Sequence, residues 1–362
     1  MIIQKGKKTT LQVKSWAWIL ICCLFSFGAS APVTIEKLEK YVKKKIRRNK
    51  HTLRIKSKLI GIEGAKFLSQ SSLLKDLDTL ILYDTGIGDE GLKELATSNK
   101  LTGLQTLELG NNNITDIGVS AIAQSPIFSK LKSLSLYRNN ISDKGATLLA
   151  NSNNMSALKE LNLSYNNIGA DGTLKVTSSN KLNNLIKLYL SYNPIESSGK
   201  KALLKFEHKV KFSDMQKKGT LSNLENQYIG DIGIEALLET PFASQLVKLN
   251  LAYNDLTDAA ITQIANSPAF SQLKSLKLSN NKIGDIGAIV ISKSQNLKKL
   301  ENLDLNYNFI GDEGASAIAK SPNSAQLKTL TLEENKISAI GAEALENTPY
   351  LQNLTEPIFG FH

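Results

Sequence analysis

Cysteine is nearly absent from this 362-residue chain: Cys22 and Cys23 are adjacent and sit inside one apolar run. No disulfide framework and no cysteine-dependent catalysis can be built downstream of that run. Histidine is as scarce, with His51, His208 and His362 widely separated. They offer neither metal-ligand spacing nor a nucleophile with its base, so no enzyme, metal or cofactor is expected. An acidic excess is also missing, since 44 Lys and Arg against 33 Asp and Glu give +11. The positive charge is local, however. Residues 36–58 carry eleven Lys or Arg against Glu36 and Glu39, and residues 1–35 carry four Lys and no acid. What remains is slightly acidic, so no nucleic-acid partner is expected.

What the chain has is repetition. Taking Asn308 as an anchor, Leu300, Leu303 and Leu305 precede it, while Ile310, Asp312 and Gly314 follow. The same pattern is anchored at Lys58, Thr85, Asn112, Asn139, Asn166, Asn193, Gln227, Asn254, Asn281 and Asn335. Every step is 27 residues except one of 34, between Asn193 and Gln227. A fixed period of this size is the signature of a solenoid.

In each unit the Leu-x-Leu alternation predicts a short strand with Leu303 and Leu305 inward and Asp304 and Asn306 outward. The anchor Asn is expected to be buried, bonding backbone groups of its own turn and of the next repeat. Asp312 is placed as a helix N-cap, and Gly314 as the point where the helix approaches its neighbour closely. The position ten after the anchor, Ile318 here, is apolar in every unit and marks the buried stripe of a helix of two to three turns. Pro126, Pro241, Pro268, Pro322 and Pro349 end five of these helices. One unit cannot bury its own apolar face. The expected fold is therefore α/β, a solenoid of about eleven strand-helix units with a parallel concave sheet and helices outside, curved into a horseshoe.

These units resemble the ribonuclease-inhibitor-like subfamily of leucine-rich repeat proteins, through LxxLxLxxNxIxDxGAxAIA over roughly residues 53–345. The resemblance implies protein-protein recognition, commonly on the concave face. The compact IGDEGAxAIA style looks like repeats of bacteria that live with eukaryotic hosts, and the absence of cysteine caps fits a bacterial origin.

Taken in order, residues 1–31 read as a signal peptide: Lys5, Lys7, Lys8 and Lys14 precede the apolar run Trp16 to Phe27, and Ala29-Ser30-Ala31 is a small-residue cleavage context. Pro32 and the charge at Lys37 to Lys50 oppose this, leaving an uncleaved membrane anchor as the alternative. Residues 32–52 hold Ile35, Leu38, Val42 and Ile46 at helical spacing behind a possible cap at Thr34, a basic helix closing the first repeat. Its Lys43, Lys44, Lys45, Arg47 and Arg48 form a candidate contact for an anionic membrane. Repeats one to six occupy 53–205 and repeats seven to eleven occupy 225–350. Between them, 206–224 is a Lys-rich insertion expected as a tolerated or projecting loop, with Val210 and Phe212 or Ser222 and Leu224 as rival strand residues. Residues 351–362 are expected to cap the far end through Leu354, Pro357 and Phe359.

The candidate binding residues are outward strand positions and those just after them. Tyr83, Tyr137, Tyr165, Tyr189, Tyr192, Tyr253 and Tyr307 fall there, and Arg138 and Lys187 accompany Tyr137, Tyr165, Tyr189 and Tyr192 in one patch over three consecutive units. Tyr suits recognition because it buries a large rigid area and keeps a hydroxyl. The GxGxxG at Gly86 to Gly91 is only NxIxDxG in another guise, because the next unit reads Asn113-Ile114-Thr115-Asp116-Ile117-Gly118 in its place. The expected function is a non-catalytic, monomeric scaffold binding a protein partner, secreted or extracytoplasmic, with a host-directed effector in view. A Ran-stimulating GTPase-activating protein and a membrane-anchored envelope scaffold are the alternatives.

Overall fold

The computed structural model describes residues 32–359, which form two compact units: 32–168 with 179–193, and 169–178 with 194–359. The segment read as an export signal, with Cys22 and Cys23, lies outside the described residues, as does His362.

The first unit contains α1 (Ile35–Arg48), β1 (Thr52–Lys56), α2 (Gly61–Gln70), β2 (Thr79–Tyr83), α3 (Gly88–Ala96), β3 (Thr106–Glu108), α4 (Asp116–Gln124), β4 (Ser133–Ser135), α5 (Asp143–Ala150), β5 (Glu160–Asn162) and β6 (Lys187–Tyr189). Its six strands form one parallel sheet in sequence order. The register advances by one repeat at each pairing, as in Leu53 beside Leu80 and Leu80 beside Leu107. The second unit contains α6 (Ala170–Thr177), α7 (Ser197–Lys217), α8 (Gly230–Leu238), β7 (Lys248–Asn250), α9 (Asp258–Asn266), β8 (Ser275–Lys277), α10 (Asp285–Lys293), β9 (Asn302–Asp304), α11 (Asp312–Ala319), β10 (Thr329–Thr331) and α12 (Ala339–Glu346). Its four strands form a second parallel sheet.

The core is made of columns, each a single motif position stacked across repeats. Leu53, Leu80, Leu107, Leu134 and Leu161 are fully buried on the strands, and Leu68, Leu95, Ile122 and Leu149 on the helices. A further column follows each helix, where Leu74, Phe128 and Met155 in one unit and Phe270, Leu297 and Leu351 in the other fill the space below the sheet. At about 25 cal/mol for each Å² of apolar surface buried, such columns are the main stabilising term, and each column exists only through its neighbours.

Two polar ladders run alongside. The anchor Asn is buried as expected, but its cross-repeat bonds go to the preceding repeat rather than the next. Asn308 Nδ2 donates to Leu278 O at 3.0 Å and to Leu305 O at 3.0 Å, and its Oδ1 accepts Ile283 N–H at 3.1 Å. Asn139 and Asn254 do the same in their units. The expected N-cap role of Asp312 is also corrected: it is the first residue of α11, after Gly311. Its carboxylate accepts Ser338 N–H at 2.8 Å, Ser338 Oγ–H at 2.7 Å and Gly341 N–H at 3.1 Å, and so satisfies the start of the following helix. Asp89, Asp116, Asp231, Asp258 and Asp285 serve their neighbours likewise. The free N–H groups of a helix start favour an anion there, whichever repeat supplies it.

The extra residues between Asn193 and Gln227 do not make a loop. They lengthen α7 to 21 residues, where α6 has eight and α8 has nine. No Gly or Pro lies between Gly199 and Gly219, so nothing in the sequence stops the helix before Gly219, which takes φ +70°. Val210 and Phe212 are helical, and the strand place belongs to Ser222–Leu224: Leu224 N–H donates to Asn250 O and Asn250 N–H to Ser222 O, each at 2.9 Å. Lys201 pairs with Glu235 at 2.8 Å, and Lys205 and Lys209 pair with Glu239, fixing α7 along α8. In the first unit α1 is capped by Thr34 and buries Leu38 and Val42. At the other end of the chain Leu354, Ile358 and Phe359 pack on the second core.

Candidate protein-interaction rim

The residue immediately before each anchor turns the chain off its strand. In all eleven repeats this residue has a left-handed backbone: Ser57, Asp84, Asn111, Arg138, Tyr165, Tyr192, Asn226, Tyr253, Asn280, Tyr307 and Glu334 have φ between 50° and 58°. Asn and Asp adopt this conformation readily, whereas for a bulky side chain it costs about 1 kcal/mol. Four of these strained positions are nevertheless tyrosine. Their rings face solvent at the ends of the strands, with Tyr192 72% exposed and Tyr307 51%.

In the first unit the rings meet. Tyr137 and Tyr165 lie edge to face with centroids 5.1 Å apart, and Tyr165 and Tyr192 stack at 4.0 Å with 19° between planes. The row extends the other way through a missing side chain. A Cβ on Gly110 would stand 2.9 Å from Cδ2 of Tyr83, so the Tyr83 ring lies across the third repeat. Lys56 Nζ stands 5.9 Å from the centre of that ring. Lys56, Tyr83, Gly110, Tyr137, Tyr165 and Tyr192 thus succeed one another repeat by repeat. With strands about 4.8 Å apart, β2 to β6 present an aromatic rim roughly 19 Å long. The Tyr192 hydroxyl beside Tyr165 holds the Tyr165 phenol above its usual range.

Of the nine expected site residues, Tyr83, Tyr137, Tyr165 and Tyr192 are brought into this row, and Arg138 lies close enough to act on the Tyr165 phenol. Tyr189 is exposed on β6 but stands outside the stack. Lys187 pairs with Glu160 at 3.6 Å on the sheet. Tyr253 and Tyr307 belong to the second unit, around a shallow cavity also lined by Glu225, Lys277 and Asp304. Sequence reasoning passed over Lys56, Gly110, Tyr228, which is 74% exposed, and Phe309, over which Lys336 sits at 4.9 Å. Aligning the positions flanking each anchor would have found the last two. Among the described residues no cluster of three metal-ligating side chains occurs, and no helix is long and apolar enough to cross a membrane.

The model for two-copy leucine-rich repeats matches residues 271–320, and the single leucine-rich repeat model matches 100–123, 129–150, 154–175 and 244–265. Each matched segment holds an anchor Asn of the ladder described above. These are leucine-rich repeats. No curated protein matches the chain. Among solved structures the chain is similar to an internalin, inlF, from Listeria monocytogenes, at 20% identity and TM-score 0.27, covering 91% of this chain and 89% of that one. It is also similar to the leucine-rich repeat ectodomain of the Arabidopsis receptor kinase HAESA, solved with a peptide hormone ligand, at 18% identity and TM-score 0.27, covering 79% and 38%. A third is a plant ice-binding protein, at 17% identity and TM-score 0.23, covering 80% and 66%.

Proposed function

We propose that this chain is a non-catalytic scaffold that binds a protein partner through the tyrosine rim of its first unit. The observation that carries this reading is the exposed, stacked pair Tyr165 and Tyr192, held at left-handed φ of 58°. A chain that needed only the turn would use Asn there, as Asn111 and Asn280 do. Rings kept in water at a cost in strain point to a use beyond folding. Stacked tyrosines with hydroxyls and a flanking Arg138 have the composition of a binding hot spot, because rigid rings lose little entropy when covered.

Finer statements go with the proposal. The 27-residue strand-helix unit supports a ribonuclease-inhibitor-like type, and the lysine-led apolar run at 16–27 supports export. The lack of cysteine caps supports a bacterial source, and the compact IGDEGAxAIA repeat style supports a host-directed role. The test is site-directed photo-crosslinking of the full chain, with benzoylphenylalanine replacing Tyr165 or, as control, Ile117, which is exposed on α4. Discrete protein adducts from position 165 and none from 117 are expected. The same adducts from both positions would remove the rim as the site.

A further inference from the structure

The end of the first unit carries a second surface, built by α1. Leu38 and Val42 are buried against the repeats, with 1% and 0% exposure, which fixes the helix rotation. At 100° per residue, Lys40, Lys44 and Arg47 then fall on one line opposite the buried pair, flanked by Lys37, Lys43 and Arg48. All six are exposed. Neutralisation within the helix is slight: Lys43 pairs with Glu39 at 2.6 Å, and Glu36 is the other acid of α1. Lys45, which the sequence groups with these cations, is instead half-buried, its Nζ 5.3 Å from the centre of the Tyr41 ring. The solvent face of α1 is therefore a cationic strip on a helix anchored by Leu38 and Val42, with no row of apolar side chains along it.

The geometry points to an anionic phospholipid surface as the occupant of this strip. Laterally mobile negative charge suits a strip that offers a row of cations without apolar anchors. The apolar run at 16–27 ends only eight residues before Ile35. In any form of the chain that keeps the run in a bilayer, α1 is tethered within roughly 28 Å of it, where its cations add to the attachment. The apolar face of α1 is already used by the repeats, so contact is electrostatic and salt-sensitive rather than insertive. This inference concerns a different surface from the tyrosine rim and does not depend on it.

The test uses the full chain and its K40Q/K44Q/R47Q variant, with phosphatidylcholine vesicles with and without phosphatidylserine. These three side chains are solvent-facing, and circular dichroism confirms that the variant folds. The wild type should bind the phosphatidylserine vesicles more tightly than the neutral ones, with the difference removed by salt. The variant should lose roughly 100-fold in that increment while its binding to neutral vesicles stays the same. Binding that ignores phosphatidylserine, or a variant that keeps the increment, overturns the inference. Polyglutamate bound more tightly than the anionic vesicles at equal salt, and lost in the variant, would assign the strip to an acidic protein instead.

Discussion

Asp285 Oδ1 accepts the backbone N–H of Gly314 at 2.8 Å, and a Cβ on Gly314 would stand 2.7 Å from the same oxygen. The helix start and the neighbouring carboxylate are thus fitted to each other with no room for a methyl group. Gly314→Ala is expected to destabilise the second unit by about 2 kcal/mol through overpacking. Asp285→Ala should cost about 1–3 kcal/mol by leaving the Gly311 and Gly314 N–H groups without their acceptor. Urea midpoints of the two variants measure this, and a neutral Gly314→Ala would show that the contact yields.

Ser324 stands in a column otherwise filled by side chains such as Phe270, Leu297 and Leu351, and a cavity of about 20 Å³ opens beside it between Ile291, Leu303 and Ile318. Its hydroxyl donates to Ile318 O, which also accepts Ser321 N–H. Ser324→Val should fill the space without orphaning that carbonyl and stabilise by about 1 kcal/mol. A lower thermal midpoint would mean that the site cannot take the volume.

His208 is 7% exposed on the lengthened helix α7, stacked on Phe212, and its Nε2 has no hydrogen-bond partner. Burial, with the Lys211 charge as a second cause, pushes its pKa down. The folded state therefore resists a proton that the unfolded chain takes up near pH 6.5, and stability is lost as pH falls below about 6.5 toward the folded value. His208→Leu should flatten the dependence of the urea midpoint on pH in that window. An equal slope in both proteins would place the dependence elsewhere.

Glu301 lies between Lys328 at 2.7 Å and Lys274 at 3.0 Å, which hold its carboxyl down to about 2. Its stabilising contribution is present above the ordinary glutamate range, about pH 4.5, and is lost as pH falls toward 2. Carboxyl chemical shifts should show Glu301 titrating near the bottom of that range, and Lys328→Met should move it upward.

Much of the fold was legible because the motif is a statement about stacking. Ile310 and Ile318 recur at one offset, and only a column of identical neighbours gives such recurrence a use. Direction was less legible: nothing in the spacing says that Asn308 reaches back to Leu278 or that Asp312 serves Ser338 ahead of it. The lengthened α7 was misread because a period of 34 in place of 27 reports extra residues without saying whether they leave the helix. The grouping of Tyr137, Tyr165 and Tyr192 was legible from their consecutive units, but the continuous row that joins them to Tyr83 and leaves Tyr189 outside was not. Tyr137 and Tyr165 occupy different motif positions, and the path from Tyr83 depends on a side chain that Gly110 lacks.

The most direct test of the rim is the pair Tyr165→Gly with Tyr192→Gly, measured for stability and for affinity to the partner crosslinked at position 165. Glycine takes φ of 58° without strain, so relief of about 1 kcal/mol per site roughly offsets the lost ring stacking. The expected result is an unchanged thermal midpoint with affinity lowered by about 30-fold or more, the loss of at least about 2 kcal/mol typical of a hot spot. Undiminished affinity in the folded double variant would contradict the proposal that these rings are the binding site.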